Sequence, residues 1–380
     1  MMLRNSSLKI LILFSVYFST AQAVVVVPAP PKIQSTSYLV MDFQSDDLVV
    51  SENVDMRVEP ASLTKIMTVY VAAEELASGN IKLDDKVTVS EKAWRMEGSR
   101  MFIEVNKEVS VEDLLKGIII QSGNDASVAL AEYIAGTEEV FAQVMNQYAK
   151  KLGMVNTNFV NSTGLPDENH YTTAHDMAIL AKALISRHPD IYVLHSIKEF
   201  TYNDIKQHNR NSLLWREDGV DGIKTGHTAS AGYCLVASAM RDGMRLISVV
   251  MGTENENARI QSTQSLLSFA FRFFETHKLY SANEVIQSGK VWKGDSESVD
   301  LGVDKDLYIT IPRGSYKQLV AAIDLEPTII APVEKGIVKG RLTVTLEDRE
   351  IINQPLITLQ SVGEGSFIDR IKDELKLFFE

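Results

Sequence analysis

Pro60-Ala61-Ser62-Leu63-Thr64-Lys65 places a hydroxyl and an amine at i and i+3, at the head of an apolar-periodic segment. Apolar residues continue at Ile66, Val69, Tyr70, Ala73 and Leu76, the spacing of a helix face packed on a core. Pro60 and Gly79 bracket the segment as start and stop signals. Residues i and i+3 are neighbours on a helix surface, so the Lys65 amine can reach the Ser62 hydroxyl and take its proton. Taken by itself the stretch also fits an ordinary helix start, with Ser62 near the cap and Lys65 a solvated charge. Ser6-Ser7-Leu8-Lys9 has the same spacing in an N-terminal stretch that reads as a leader, so the rest of the chain has to decide.

A chain of 380 residues exceeds the size at which single cores stop growing, which predicts two folded units. Hydrophobic content of 45% with 23% charged residues is that of a globular protein, and a net charge of -12 without a basic stripe argues against nucleic acid as a partner. Residues 1–23 read as an export signal: Arg4 and Lys9 supply positive charge, Ile10 to Phe18 is largely apolar, and Ala21-Gln22-Ala23 matches an A-x-A cleavage site. The apolar run is short for a bilayer span, so a mature start at Val24 is preferred over an uncleaved anchor. Cys234 is the only cysteine, and it sits in the apolar run Tyr233-Cys234-Leu235-Val236-Ala237 as a small buried hydrophobe. The seven histidines are scattered and no His/Cys cluster has ligand spacing, so neither a metal nor another cofactor is expected.

Val24 to Ile33, with its prolines, reads as an extended linker. Ser37 to Phe43 and Asp47 to Ser51 then read as a hairpin across Gln44-Ser45-Asp46. Val111 to Ile120 gives an apolar helical segment ending at Gln121-Ser122-Gly123-Asn124-Asp125, and a further helix runs from Ala126 to Ile134 with Gly136 as its stop. Ser122 and Asn124 thus stand between two helices, where they can face a cleft or simply cap and turn. Glu138 to Leu152 is an amphipathic helix, and the long polar loop Asn161 to His170 has the character of a site-forming loop. Thr173 with Asp176 predicts a capping box opening the helix Met177 to Ile185. Tyr233 to Ala239 and Leu246 to Met251 are strand-like runs joined at Arg241-Asp242-Gly243. Ahead of them lies Lys224-Thr225-Gly226, either a strand-end turn or a strand whose glycine leaves room for a substrate backbone. Apolar helical residues from Ser265 to Phe274 close the first unit, and Val285 to Ser361 is β-rich without evident chemistry.

The elements Ser62-Leu63-Thr64-Lys65, Ser122-Gly123-Asn124 and Lys224-Thr225-Gly226 occur in this order, and their joint occurrence by chance is far rarer than that of any one. Together with His208-Asn209-Arg210-Asn211 and Leu301-Gly302-Val303-Asp304-Lys305-Asp306, they make the chain resemble the low-molecular-mass penicillin-binding proteins, specifically the D-alanyl-D-alanine carboxypeptidases of Gram-negative bacteria. The resemblance implies an α/β (α+β) penicillin-binding-protein or serine β-lactamase-like domain over residues 24–280, a small all-β domain over 281–362 and a C-terminal amphipathic helix over 363–380. It implies removal of the terminal D-alanine of peptidoglycan pentapeptides through an acyl-enzyme on Ser62, and covalent inhibition by β-lactams. In that scheme Lys65 is the general base, its pKa lowered by burial beside Lys224, and Ser122 and Asn124 relay a proton and hold the substrate amide. Arg210 with Thr225 grips the substrate carboxylate beside Gly226, and the backbone N–H groups of Ser62 and His227 form an oxyanion hole. Gly123 departs from the β-lactamase pattern, which usually has Asp there, and no glutamate motif of the class A kind lies between Asn124 and Lys224. Rapid β-lactam hydrolysis is therefore not expected. A DD-endopeptidase or weak β-lactamase on the same fold, and a non-catalytic wall-binding protein, are the alternatives.

In the last residues Phe367, Ile368, Ile371, Leu375, Phe378 and Phe379 recur at helical spacing, with charged residues between. The strip is too short and too charged to span a bilayer but suits a helix lying in the interface, which would hold the protein peripherally at the periplasmic face of the inner membrane. The competing arrangement is a terminal helix docked on the β domain.

Overall fold

A computed structural model describes residues 27–379; the export signal read at 1–23 lies outside them. In chain order the first unit runs β1 Ser37–Asp42, β2 Leu48–Glu52, α1 Thr64–Ala77, β3 Lys86–Thr88, α2 Glu91–Trp94, β4 Glu108–Ser110, α3 Val111–Lys116, α4 Asn124–Ala135, α5 Glu138–Leu152, α6 Ala174–Arg187, α7 Pro189–Tyr192, β5 Glu199–Tyr202, β6 Ile205–His208, α8 Leu213–Arg216, β7 Val220–Thr228, β8 Gly232–Arg241, β9 Met244–Thr253 and α9 Glu256–Phe273.

The main sheet is antiparallel with strand order β2-β1-β9-β8-β7, so the first hairpin closes against strands laid down two hundred residues later (Ser37 opposite Met251, for example). Side chains alternate along β1: Tyr38 and Val40 join Leu266, Leu267 and Phe271 of α9 on one face, while Leu39 and Met41 join the helical cluster on the other. Both faces are covered, which is why β1 reads as an unbroken apolar run and not as an alternation.

Periodicity assigns α1 one apolar face, yet Thr64 through Ala73 are all buried, Lys65 and Thr68 included. The helix is enclosed: it packs against α4, α5, α6 and β7, and no solvent side remains along its first turns. Ile66, Met67, Val69 and Tyr70 are essentially inaccessible. Each such side chain contributes about 1.5–3 kcal/mol on leaving water, which is what allows an amine to be carried into the same core.

Helix ends follow their cap residues. Thr137 accepts from the Val140 N–H to start α5, and Gly153, at φ 83, ends it. The capping box predicted at Thr173 is only half present. Thr173 Oγ1 accepts from the Asp176 N–H at 3.1 Å, but the Asp176 carboxylate is taken by the Asn156 N–H and the Thr157 hydroxyl. Helix α9 starts at Glu256, well before the apolar residues that mark it in sequence, and the signal is Asn255, whose side chain accepts from the Ala258 N–H.

The second unit contains β10 Phe274–Tyr280, β11 Gln287–Trp292, β12 Ser298–Gly302, β13 Leu307–Pro312, β14 Leu319–Leu325, β15 Ile329–Ile330, β16 Val338–Leu346 and β17 Arg349–Thr358, followed by α10 Phe367–Phe379. Its larger sheet has the order β14-β16-β17-β12-β11-β15, and β10 pairs with β13, so β10 belongs to this unit's hydrogen bonding although it follows α9 directly. The β10–β13 ribbon is tied to the β1–β2 turn: Thr276 donates to Asp42 at 2.6 Å and the Thr310 N–H donates to Asp47 at 3.0 Å. Helix α10 is held by its polar side, with the Lys293 N–H donating to Asp373 at 2.8 Å, while Phe367, Ile368, Leu375, Phe378 and Phe379 are exposed.

Candidate active site

Ser62 lies in a 3-10 turn, Ala61–Leu63, that runs straight into α1. Ala61 has φ 48°, a conformation that costs an L-residue roughly 1–2 kcal/mol and persists only where the surroundings enforce it. Two glycines let neighbouring backbone pack closely on that turn. A Cβ on Gly164 would stand 1.8 Å from the Ala61 carbonyl oxygen, and one on Gly226 would stand 3.2 Å from the Pro60 oxygen and 3.3 Å from the Ala61 Cβ. The glycine of the Lys224-Thr225-Gly226 element thus packs tightly in a direction that sequence reading did not anticipate, where a Cβ would press the turn by a few tenths of an ångström. Its missing side chain makes room for the serine turn of this same chain.

The Lys65 Nζ is fully buried and has three neighbours: Thr163 O at 2.6 Å, Asn124 Oδ1 at 2.7 Å and Ser62 Oγ at 3.1 Å. Carbonyl and amide oxygens can only accept, so the two short contacts each take an N–H. The third direction, toward the Ser62 hydroxyl, is then where the lone pair of a neutral amine points. The Lys65 amine is pushed down to about 7, by burial first and then by the Arg210 charge, with Asp125 and Glu138 opposing. Lys224, predicted to depress Lys65, is itself held well below the usual lysine range, by burial first and then by Lys65, Arg210 and Arg259. Desolvation is the main cause in both, and the cation that helps to lower Lys65 is Arg210, not Lys224 as the sequence suggested.

Ser122 follows a π-helical turn, Gly117–Gln121, and sits at φ 64°. Such turns interrupt helices at functional sites. Its Oγ is buried, and among the described residues it has no hydrogen-bond partner. Asn124 Nδ2 donates to Glu97 O at 2.6 Å, which turns its Oδ1 toward Lys65. Gly123 has a packing reason: a Cβ there would lie 2.8 Å from Asp125 Oδ1 and 3.2 Å from the Met101 nitrogen. That close approach lets the Asp125 carboxylate accept from the N–H groups of Met101, Phe102 and Ile103 and so hold the loop over Asn124.

Strand β7 carries Lys224, Thr225 and Gly226 opposite Val236, Leu235 and Cys234 of β8, and Lys224 Nζ donates to Thr225 O at 2.9 Å. A cavity of about 360 Å³ opens between these elements, walled by Ser62, Ser122, Arg210, Thr225, Gly226 and His227. Lys65, Asn124 and Lys224 are buried beside it and complete the set. All nine residues singled out in the sequence thus gather at one cleft. A larger cavity of about 450 Å³, walled by Arg241, Phe271 and Arg313 among others, contains none of them.

Sequence reading missed four contributors. Thr163 supplies a backbone oxygen, for which no side-chain signal exists. Glu138, 8% exposed, accepts from both the N–H and the hydroxyl of Ser162 and so holds the loop that carries Thr163. Arg259 and Glu256, an ion pair at 2.8 Å on the first turn of α9, line the cavity beside Arg210; the cap at Asn255 was the available signal. With Arg210 and the buried Arg259 lining it and two buried amines behind, the cleft suits a ligand bearing a carboxylate. A hydroxyl, a base of depressed pKa and an unpartnered second hydroxyl can together carry out acyl transfer.

Residues 24–255 match the family described as D-alanyl-D-alanine carboxypeptidase, and residues 274–364 match the domain described as penicillin-binding protein 5, C-terminal domain. The chain is 45% identical over 357 residues to the D-alanyl-D-alanine carboxypeptidase DacC of Escherichia coli K12, covering 92% of this chain and 89% of the relative. It is 43% identical over 361 residues to DacA of the same organism, with coverages of 93% and 90%. Among solved structures, penicillin-binding protein 5 from Haemophilus influenzae superposes with a TM-score of 0.87 at 44% identity, over 89% of this chain and 100% of that one.

Proposed function

The chain belongs to the D-alanyl-D-alanine carboxypeptidase family, a family of penicillin-binding hydrolases that act on peptidoglycan, and from that premise we infer how its cleft removes the terminal D-alanine. Ser62 Oγ attacks the carbonyl carbon of the penultimate D-alanine while its proton passes to the neutral Lys65 Nζ. The amide C–N bond then breaks, the leaving D-alanine amine takes up a proton through Ser122, and an ester on Ser62 remains for water to hydrolyse. The backbone N–H groups of Ser62 and His227 stabilise the oxyanion, Asn124 holds the substrate amide, and Arg210 with Thr225 binds the terminal carboxylate. Lys224, beside both, adds positive field to the leaving end.

One observation carries this reading: the Lys65 amine is buried with two acceptors at 2.6 and 2.7 Å and Ser62 Oγ at 3.1 Å, the geometry of a base aimed at its nucleophile. Mass spectrometry of the purified protein with penicillin and with a pentapeptide tests it. Penicillin is expected to add to the peptide containing Ser62, and Ser62→Ala to lose both the adduct and D-alanine release; an adduct on the Ser122 peptide would overturn the assignment.

The exposed apolar side of α10 supports peripheral attachment to a membrane surface, on the periplasmic side where peptidoglycan lies. Among the described residues no helix is long and apolar enough to cross a bilayer.

A further inference from the structure

The segment His208-Asn209-Arg210-Asn211 contributes one cavity residue, Arg210, yet its two asparagines are more deeply buried than the arginine they flank, at 7% and 2% exposed. Asn211 Nδ2 donates to Gly222 O at 2.9 Å, and the Asn211 N–H donates to Asn209 Oδ1 at 2.9 Å. Asn209 Nδ2 donates in turn to Ile197 O at 2.9 Å and to His195 O at 3.3 Å. His195, fully buried, closes the circuit: its Nδ1 lies 2.9 Å from Ile223 O. A carbonyl only accepts, so Nδ1 carries the proton, and Nε2 is left without a partner among the described residues. The Arg210 N–H points the other way, to Ile120 O at 3.3 Å, two residues before Ser122.

Strand β7 is the edge of the main sheet, so beyond β8 it has no strand to hold it. Gly222 and Ile223, the two residues ahead of Lys224, are held instead by side chains from a single buried cluster. We infer that Asn211 and His195 are positioning residues for the hydrolysis: they lock the carbonyls preceding Lys224 and, through Asn209, set the Lys224 amine and the Arg210 guanidinium in one frame with Ser122. Neither touches the cavity. Their effect passes through the two cations, where a displacement of about 1 Å can cost a hundredfold in rate. Burial holds His195 down to about 4, with Lys224 contributing, so the ring stays neutral and the donor is retained throughout the working range.

This inference rests on the cleft assignment above, and the test separates the two. Variants of the full chain are compared for folding by cooperative thermal unfolding, for kcat and KM on a pentapeptide, and for the midpoint of the pH–acylation profile with penicillin. Asn211→Ala and His195→Phe remove the donors to Gly222 O and Ile223 O. Folded, they are expected to lose about ten- to a hundredfold in kcat. The profile midpoint is expected to move to higher pH, because Arg210 no longer sits where it depresses Lys65. Asp125 and Glu138, which raise that pKa, and Lys224 and His170, the other titratable groups beside Lys65, are unchanged in sequence in these variants. His195→Asn puts an amide nitrogen near the place of Nδ1 and is expected to recover turnover to within about threefold, a rescue that mere space-filling does not explain. His195→Gln puts its amide near the place of Nε2, so it decides the matter if His195→Phe does not fold. Wild-type kcat and midpoint in folded Asn211→Ala or His195→Gln would overturn the clamp and leave the cleft assignment standing; a wild-type protein that releases no D-alanine would overturn both.

Discussion

The Lys65 side chain carries the sharpest expectations at the scale of a single residue. A base works when neutral, so acylation is expected to rise with pH through about 7 and then level off, far below the ordinary 10.5. Lys65→Arg keeps a charge but cannot release a proton, and its acylation rate with penicillin is expected to fall by at least about a thousandfold. Stability follows from the same shift. With the folded pKa lowered, the unfolded chain binds more protons between about 7 and 10.5, so this residue makes stability increase with pH across that window, approaching about 1.4 kcal/mol per pH unit. The difference in unfolding free energy between wild type and Lys65→Met is expected to show that slope, and a flat difference would mean the amine is not depressed. Glu138→Gln keeps the acceptor for Ser162 and removes a charge that raises Lys65. Its acylation midpoint is expected to move to lower pH, a shift readable on a stopped-flow pH series.

Elements position these groups by close backbone approach, and glycine substitutions measure it. Gly164 and Gly153 share φ 83°, but a Cβ on Gly164 meets the Ala61 carbonyl at 1.8 Å whereas one on Gly153 meets nothing within 4 Å. Gly153→Ala is expected to cost only the local strain, about 1 kcal/mol, with acylation unchanged. Gly164→Ala has to displace the serine turn or the Thr163 carbonyl. We expect a loss of about 2–3 kcal/mol by urea unfolding and acylation slowed by more than about tenfold. Equal effects of the two substitutions would show that the loop does not brace the turn. The π-helical turn before Ser122 and the Asp125 carboxylate that ties down residues 101–103 serve the neighbouring wall in the same way.

For the molecule as a whole, the question is how the cleft is presented to the cell wall. The Asp373 pin and the Arg370–Glu364 pair at 2.5 Å hold α10 by its polar side, which leaves its apolar side free to enter a lipid interface without detaching from the β unit. Asp369, Asp373, Glu374 and Glu380 against Arg370, Lys372 and Lys376 leave no cationic excess, so attachment would rest on apolar burial. The protein is expected to sediment with vesicles, to be released by detergent more readily than by salt, and to become soluble with full pentapeptide activity when cut after Gly365. Full-length protein that stays in the supernatant with vesicles would rule out attachment through this helix.

Order and spacing along the chain were enough to single out Ser62, Lys65, Ser122 and Lys224 as candidates, which the fold brings to one cleft, because local helix and strand geometry governs such short intervals. The helices with strong caps, such as Glu138–Leu152, and the hairpin from Arg241 to Met244 were legible for the same local reason. What binds the motifs together was not. The Thr163 oxygen carries no side-chain signature, Gly226 packs against Pro60 and Ala61, residues far from it in sequence, and α1 is buried all round from Thr64 to Ala73 because elements distant in the chain enclose it. The depression of Lys65 likewise depends on desolvation, a property of the packed core and of no residue alone. Chemistry that needs only residue type and short-range spacing is written in the sequence; close approach, burial and the field they create exist only once the sheet has closed β1 against β9.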